Sequence, residues 1–303
     1  SYPGHVRELG KKEALKIAKL EYANIVETHA LAGELGIECE NAICKTVDVV
    51  YDRDAFEHGK RAVEMLRGDM DEKDMGEGEA GWYRVYEDVQ EVERIFFMTG
   101  KNENATIEGQ EEVVGAFEYL AGRVHAYRFT TGVLAKCVKQ GLEICTNTPV
   151  HDISPSSQTS EQGDELWDVH TQHATFTASN VIIATNGYTP YLLQELQGAI
   201  VPLRGQITAQ RPGSATKLPS PLPTTYSFIY RTGFEYMIPR PLADGTHHII
   251  MVSTRKTRHT SAKPAPDTLV PRTGVSRAPE KQSSALCRNG LASWAPRPTS
   301  GLL

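Results

Sequence analysis

No run in this 303-residue chain approaches eighteen apolar residues, the length a helix needs to cross a bilayer, so no membrane span is expected. No charged-then-apolar leader precedes the first helical pattern, which sets the expectation of an intracellular protein, cytoplasmic by default. The five cysteines, Cys39, Cys44, Cys137, Cys145 and Cys287, form no C-x-x-C pair and have no histidine at zinc spacing. Reduced thiols and no metal site are expected. The pair His247-His248 also lacks a carboxylate or cysteine at ligand spacing. Aromatic residues are nearly missing from residues 254–303, where Trp294 stands alone.

What is present begins with a charge asymmetry hidden by the net charge of −6. Residues 254–303 carry nine Lys or Arg against two Asp or Glu, leaving 23 basic and 36 acidic residues in the first 253. A basic tail can bind nucleic acid or anionic lipid. With Ser, Thr and Pro dominant and aromatics scarce, the expected reading is a disordered, solvated tail with no nucleic-acid partner. The apolar fraction of 40% is enough for a real core over one large domain or two ordinary ones.

Apolar residues from Leu9 to Leu35 fall mostly at helical spacing, with Gly36 placed to stop the helix. Ile43 to Tyr51 has strand character, and Arg53 to Arg67 reads as a second amphipathic helix. Residues 69–79 hold six acidic side chains and one lysine, the mark of a solvated loop. Tyr127 to Gln140 reads as a helix and Leu142 to Val150 as a strand, a unit suited to a parallel sheet with a right-handed crossover. Leu166 to Val169 and Ala174 to Thr177 read as short antiparallel strands feeding a buried strand, Val181 to Ala184. Residues 200–209, 226–231, 235–239 and 247–252 read as strands of a second, mostly antiparallel sheet.

A literal G-x-G-x-x-G occurs at Gly76-Glu77-Gly78-Glu79-Ala80-Gly81. A dinucleotide loop needs a preceding buried strand and a following helix, whereas this one follows an acidic stretch. A loop glutamate about 5 Å from a phosphate costs roughly 3 kcal/mol at an effective dielectric of ~20. A helix N-terminus returns only ~0.3–2 kcal/mol, so the motif is not read as a phosphate site.

The most informative stretch is Val181-Ile182-Ile183-Ala184-Thr185-Asn186-Gly187-Tyr188-Thr189-Pro190, followed by Ile200-Val201-Pro202-Leu203-Arg204-Gly205-Gln206. It resembles the second flavin-contacting segment of the FAD-dependent oxidoreductases of the D-amino-acid oxidase and glycine oxidase superfamily. The likeness is to the branch that includes gamma-glutamylputrescine oxidases. Upstream, Gly115 to Gly122, His125 to Phe129 and Thr146-Asn147-Thr148-Pro149-Val150 extend it; downstream, Phe234 to Pro241 looks like the family's substrate-domain strand. The likeness runs over residues 1–252, and the order of the motifs is a stronger signal than any one of them.

The resemblance implies an α/β fold: a partial FAD/NAD(P)-binding Rossmann-like domain plus a mostly antiparallel substrate-binding sheet, with a disordered tail. Residues 1–40 and 116–199 would form the partial FAD-binding domain, 41–115 and 200–253 the substrate-binding domain, and 254–303 the tail. The family opens with a βαβ glycine loop and continues the strand at Ile249-Ile250-Met251-Val252-Ser253 into consecutive glycines. Neither is found here, so a shortened form of the enzyme is expected.

The implied chemistry is oxidation of a CH–NH or CH–NH2 group of a small amine or amino acid, with flavin as hydride acceptor and oxygen as final oxidant. No catalytic side chain is singled out. Val150, Ala184, Thr185, Asn186, Gly187 and Arg204 are the implied cofactor-side residues. Asn186 is either an amide that donates and accepts at the cofactor or a turn residue, and Gly187 either approaches the cofactor or frees the backbone. Arg204 either sits near the flavin or fixes an acidic residue. Tyr236 and Arg240 are the substrate-side candidates, Arg240 as a bidentate carboxylate clamp, set against plain solvent-facing strand residues. His125 is read as a capping or packing residue. Against the enzyme stand two readings from other classes: a catalytically inactive fragment or interaction module without FAD, and a nucleic-acid or membrane-surface binder working through the tail.

Overall fold

The computed structural model describes residues 2–100, 112–202, 205–213, 218–219, 222–231 and 233–253. They fall into two compact units, one built from residues before 143 together with those after 202, the other from residues 143–202. The class is α/β with two sheets, one mixed and one antiparallel. The expected disordered tail and its Cys287 lie outside the described residues. No helix among the described residues is long and apolar enough to cross a membrane.

In the first unit, the helical pattern resolves into α1 (Tyr2–Leu9) and α2 (Lys11–Glu34), broken at Gly10, whose φ of 83° no helix can contain. Gly36 closes α2 at φ 59°, where its N–H reaches the Gly33 carbonyl. Strand β1 (Ala42–Val50) leads through Asp52, which caps α3 (Arg53–Asp69) by accepting from the Ala55 N–H at 2.9 Å. β2 (Tyr83–Tyr86), α4 (Val89–Phe96) capped by Asp88, β3 (Gly115–Arg123) and α5 (Ala126–Lys139) follow. His125 caps α5, its Nδ1 accepting from the Arg128 N–H at 3.4 Å. Strands β7 (Gln206–Gln210), β8 (Thr225–Tyr230), β9 (Gly233–Pro241) and β10 (His247–Ser253) complete the unit.

The second unit holds β4 (Val150–Thr159), β5 (Glu165–Thr171), β6 (Thr175–Ala178) and a single helical turn, α6 (Thr189–Leu192). The seven-stranded sheet has the order β2-β3-β1-β8-β9-β10-β7 and the other the order β4-β5-β6. Only β1 and β8 run parallel; every other pairing is antiparallel.

The centre of the large sheet is covered on both faces. On one, Val47, Val49 and Ala116 meet Val92 and Phe96 of α4 together with Tyr226. On the other, Val50 and Phe117 meet Phe56 and Val63 of α3, the Phe56 and Phe117 rings lying 5.1 Å apart. Continuous burial on both faces explains why β1 reads as a near-unbroken β-branched run. Towards the other edge the α3-side face is bare: Ile207, Phe234, Tyr236 and Ile238 are 68%, 40%, 43% and 36% exposed.

Several expectations are corrected. Residues 142–149 form no strand, because Asn147 takes φ 54° and Pro149 has no N–H to give a ladder. The strand starts instead at Val150 and joins an antiparallel hairpin with β5, so no parallel crossover follows α5. Val181–Ala184 is not a buried strand: no strand pairs with it, and Ile182 is 91% exposed. The strand expected over 200–209 starts only at Gln206. β3 lies inside the large sheet, paired along its whole length with β1, so the boundary expected at 115/116 runs ahead of a strand bound to what precedes it. The acidic stretch 69–79 is bound as well as solvated. Lys11 meets Asp69 at 2.6 Å, Lys19 meets Asp74 at 2.7 Å, and the Tyr22 hydroxyl donates to Glu79 at 2.9 Å. Cys39, Cys44, Cys137 and Cys145 form no disulfide.

Candidate functional site

In the second unit, the segment 184–188 leaves β6 and turns into α6. Asn186 carries the turn at φ 45°, a left-handed conformation that asparagine tolerates. Gly187 has no positive φ; a Cβ there would lie 3.1 Å from the Pro202 Cβ, so close approach, not backbone freedom, asks for glycine. The Thr185 hydroxyl bonds that of Thr189 at 2.9 Å. The Tyr188 hydroxyl donates to the Val150 carbonyl at 3.2 Å, joining the start of β4 to this turn. Val150, Ala184, Thr185, Asn186 and Gly187 are thereby gathered on one edge of the small sheet, with Ala184, Thr185 and Asn186 exposed. Arg204 lies outside the described residues.

Tyr236 and Arg240 belong to the large-sheet unit, on the bare face of β9. Arg240 is not a vacant clamp: its Nε and Nη2 donate to Glu40 at 2.7 and 2.5 Å. Glu40, held at φ 56°, also accepts from Arg128 at 3.3 Å. The Arg240 guanidinium, followed by the weaker charge of Arg128, keeps the Glu40 carboxyl below its usual range against an opposing effect of burial.

Sequence reasoning passed over a polar cluster near Tyr236. Asp48 projects from β1 onto the face that carries Phe117 and Tyr119 of β3 and Ser227 of β8, its register partners and their neighbours. The Tyr119 hydroxyl donates to Asp48 at 3.1 and 3.2 Å. Burial pushes the Asp48 carboxyl up, and hydrogen bonds from Ser227 and Tyr119 only partly oppose it. Burial and then the Asp48 charge push the Tyr119 hydroxyl well above the tyrosine range. The available signal was an aspartate at an inward-facing position of an otherwise Val-rich strand, which needs a hydrogen-bonded partner.

A dinucleotide also needs donors for its pyrophosphate. Three strand-to-helix turns exist among the described residues, and they are capped by Asp52, Asp88 and His125 with no glycine loop. Two of the three place a carboxylate where a phosphate would have to sit. Gly76–Gly81 is a turn region anchored by Glu77 to Lys45 and by Glu79 to Tyr22. The edge at 185–187 presents the Thr185 hydroxyl, already bonded to Thr189, and the exposed Asn186 amide, while the Thr185 and Asn186 carbonyls accept within the turn. Among the described residues no glycine loop offers donors to a pyrophosphate. Among them, no group of three His, Cys, Asp or Glu is placed to hold a metal.

Comparison with known proteins gives a family match over residues 2–294, to the family described as DAO, FAD dependent oxidoreductase. The chain is similar in fold to glycine oxidase from Bacillus cereus, with TM-score 0.52, 17% identity, and coverage of 82% of this chain and 59% of that one. Glycine oxidase from Geobacillus kaustophilus gives TM-score 0.51, 19% identity, and coverage of 79% and 57%. L-proline dehydrogenase from P. horikoshii gives 0.50, 14%, and coverage of 77% and 54%. The chain therefore spans less than two thirds of each of these structures. No curated protein matches it in sequence.

Proposed function

This chain belongs to the FAD dependent oxidoreductase family, and from that premise we propose that it serves oxidation of a C–N bond in a small amine or amino acid. The family's flavin would supply the electron acceptor for that chemistry. The observation that carries the reading is the bare face of β9, where Phe234, Tyr236 and Ile238 stand open, across β8 from a half-buried acid, Asp48, that is already hydrogen-bonded. An apolar roof with few polar groups is what a substrate amine requires, because desolvation favours its neutral, reactive form. In this reading the large sheet is the substrate side, with Tyr236 touching substrate. Arg240 would bind a carboxylate only by exchanging Glu40 for it. Val150 and residues 184–187, with Arg204, would face the cofactor. The order of the quoted motifs supports the gamma-glutamylputrescine oxidase-like branch as the finer assignment.

The lack of a glycine loop at the described strand-to-helix turns supports a second reading, a chain that does not bind FAD and acts, if at all, as an interaction module. One experiment separates the two: purified protein is titrated with FAD, its 450 nm absorbance is followed through gel filtration, and peroxide release is measured with diamines, N-acylated diamines and amino acids. Retained FAD with substrate-dependent peroxide supports the oxidoreductase. Colourless protein that never retains FAD supports the module and overturns the first reading.

A further inference from the structure

A half-open cleft of about 310 Å³ lies in the large-sheet unit between α1, α2, the edge strand β2 and its neighbour β3, apart from the elements assigned above to the cofactor. Five aromatic rings line it: Tyr2, Tyr22, Trp82, Tyr83 and Tyr119. Its size is at the lower end of the ~300–1,000 Å³ usual for small-molecule sites.

The direction of the hydroxyl protons sets the sign of the field inside. Tyr2 donates to Asp69 at 2.9 Å, Tyr22 to Glu79 at 2.9 Å, and Tyr119 to Asp48 at 3.1 Å. Three of the four tyrosine protons are therefore spent on carboxylates, which leaves aromatic carbon and oxygen lone pairs for a guest and few donors for an anion; the Tyr83 and Tyr119 rings pack on each other with centroids 5.1 Å apart. Burial, and then the charges of Asp48 and Glu21, raise the Tyr83 hydroxyl above its ordinary range, consistent with a negative potential at its oxygen. Trp82 already carries a cation on its ring, with Lys45 Nζ 4.7 Å from the centroid. Glu21 also lines the space and makes no hydrogen bond or ion pair among the described residues.

We propose that this aromatic, carboxylate-rimmed cavity is a binding site for a small methylated alkylammonium ion, with Glu21 as its counter-ion. Ring faces attract a charge that is spread over methyl groups and needs no hydrogen-bond acceptors. A primary ammonium, by contrast, would have to find three acceptors where only one carboxylate is unengaged. The site shares Tyr119 with the Asp48 cluster, but its occupation requires neither bound flavin nor the oxidoreductase reading.

The test is calorimetric titration of the full chain with tetramethylammonium chloride at fixed ionic strength, alongside tert-butanol as the neutral molecule of the same shape. Saturable binding of the cation is expected, with tert-butanol at least about tenfold weaker. Glu21→Gln should weaken the cation by about threefold to tenfold and leave tert-butanol unchanged. Trp82→Leu should cause a similar loss. Glu21 is exposed, so its variant keeps the test decisive if the Trp82 variant fails to fold. Absence of binding, equal binding of cation and alcohol, or a Glu21→Gln variant that binds the cation as well as the parent would each overturn the proposal.

Discussion

The two units of this chain use their apolar residues in opposite ways. In the large-sheet unit, Val47, Val49, Phe56, Val92 and Ala116 are at most 1% exposed. In the unit of residues 143–202, Thr189 and Pro190 are the only buried residues, and Trp167, Phe176 and Ile182 are 40%, 46% and 91% exposed. A three-stranded sheet with no covered face has little to offset the entropy of ordering it. The unit that carries the chain's stability is thus distinct from the unit that carries its most family-like segment. A segment that resembles the family in sequence need not be part of a core.

The sharpest way to break this contrast is to truncate one aromatic in each unit. Phe56→Ala should cost about 3–5 kcal/mol, as a fully buried ring leaves a cavity, while Phe176→Ala should cost under about 0.5 kcal/mol. Urea unfolding followed by circular dichroism reads both, and equal losses would end the distinction. Next in size is Gly122→Ala. Its Cβ would fall 1.7 Å from His29 Nε2, and His29 is held through Nδ1 by Asn41. Overpacking of this kind costs about 1–3 kcal/mol, measurable as a lowered thermal midpoint.

Asp52→Ala should cost about 1–2 kcal/mol by removing the α3 cap, and it also removes the Arg231 contact at 2.9 Å. The hydrogen bond from Arg231, then that from the Ala55 N–H, hold the Asp52 carboxyl below its ordinary range. Its stabilisation is therefore present above the unfolded carboxylate pKa and lost as pH falls through the depressed folded value.

Asp48 has the opposite sign. Burial raises its pKa, so its contribution is full in acid, below the unfolded value, and is lost as pH rises through the raised one. Unfolding measured from pH 4 to 8 should show the parent losing stability relative to Asp48→Asn as pH increases. A flat difference would mean that the carboxylate is better solvated than its burial implies. Arg240→Met should cost below about 1 kcal/mol, as expected for a partly exposed pair. If Arg240 exchanges Glu40 for a substrate carboxylate, the same variant raises KM for amino acids and leaves simple amines unaffected.

Local signals were legible where a residue acts alone. Gly36 ending α2, His125 standing at the start of α5, and the periodicity of α3 and α5 all follow from backbone geometry and side-chain reach. The break at Gly10 was a glycine in a helical pattern, which spacing alone does not resolve. Strand assignments at 142–149 and 181–184 failed for a different reason: a strand exists only if a second chain segment supplies its ladder, and composition carries no record of the partner. The cluster of Asp48, Tyr119 and Ser227 draws on positions up to 179 residues apart and was invisible for the same cause.

The sequence by itself determined the family, the α/β class, the end of α2 and the extents of α3 and α5, because these depend on residue order, periodicity and capping chemistry within a few positions. Only the tertiary structure decided that β3 joins β1, that Arg240 is already paired with Glu40, and that five aromatic residues line a common cleft. Those outcomes rest on long-range register and burial, which depend on all the partners at once and are written in no single stretch of the chain.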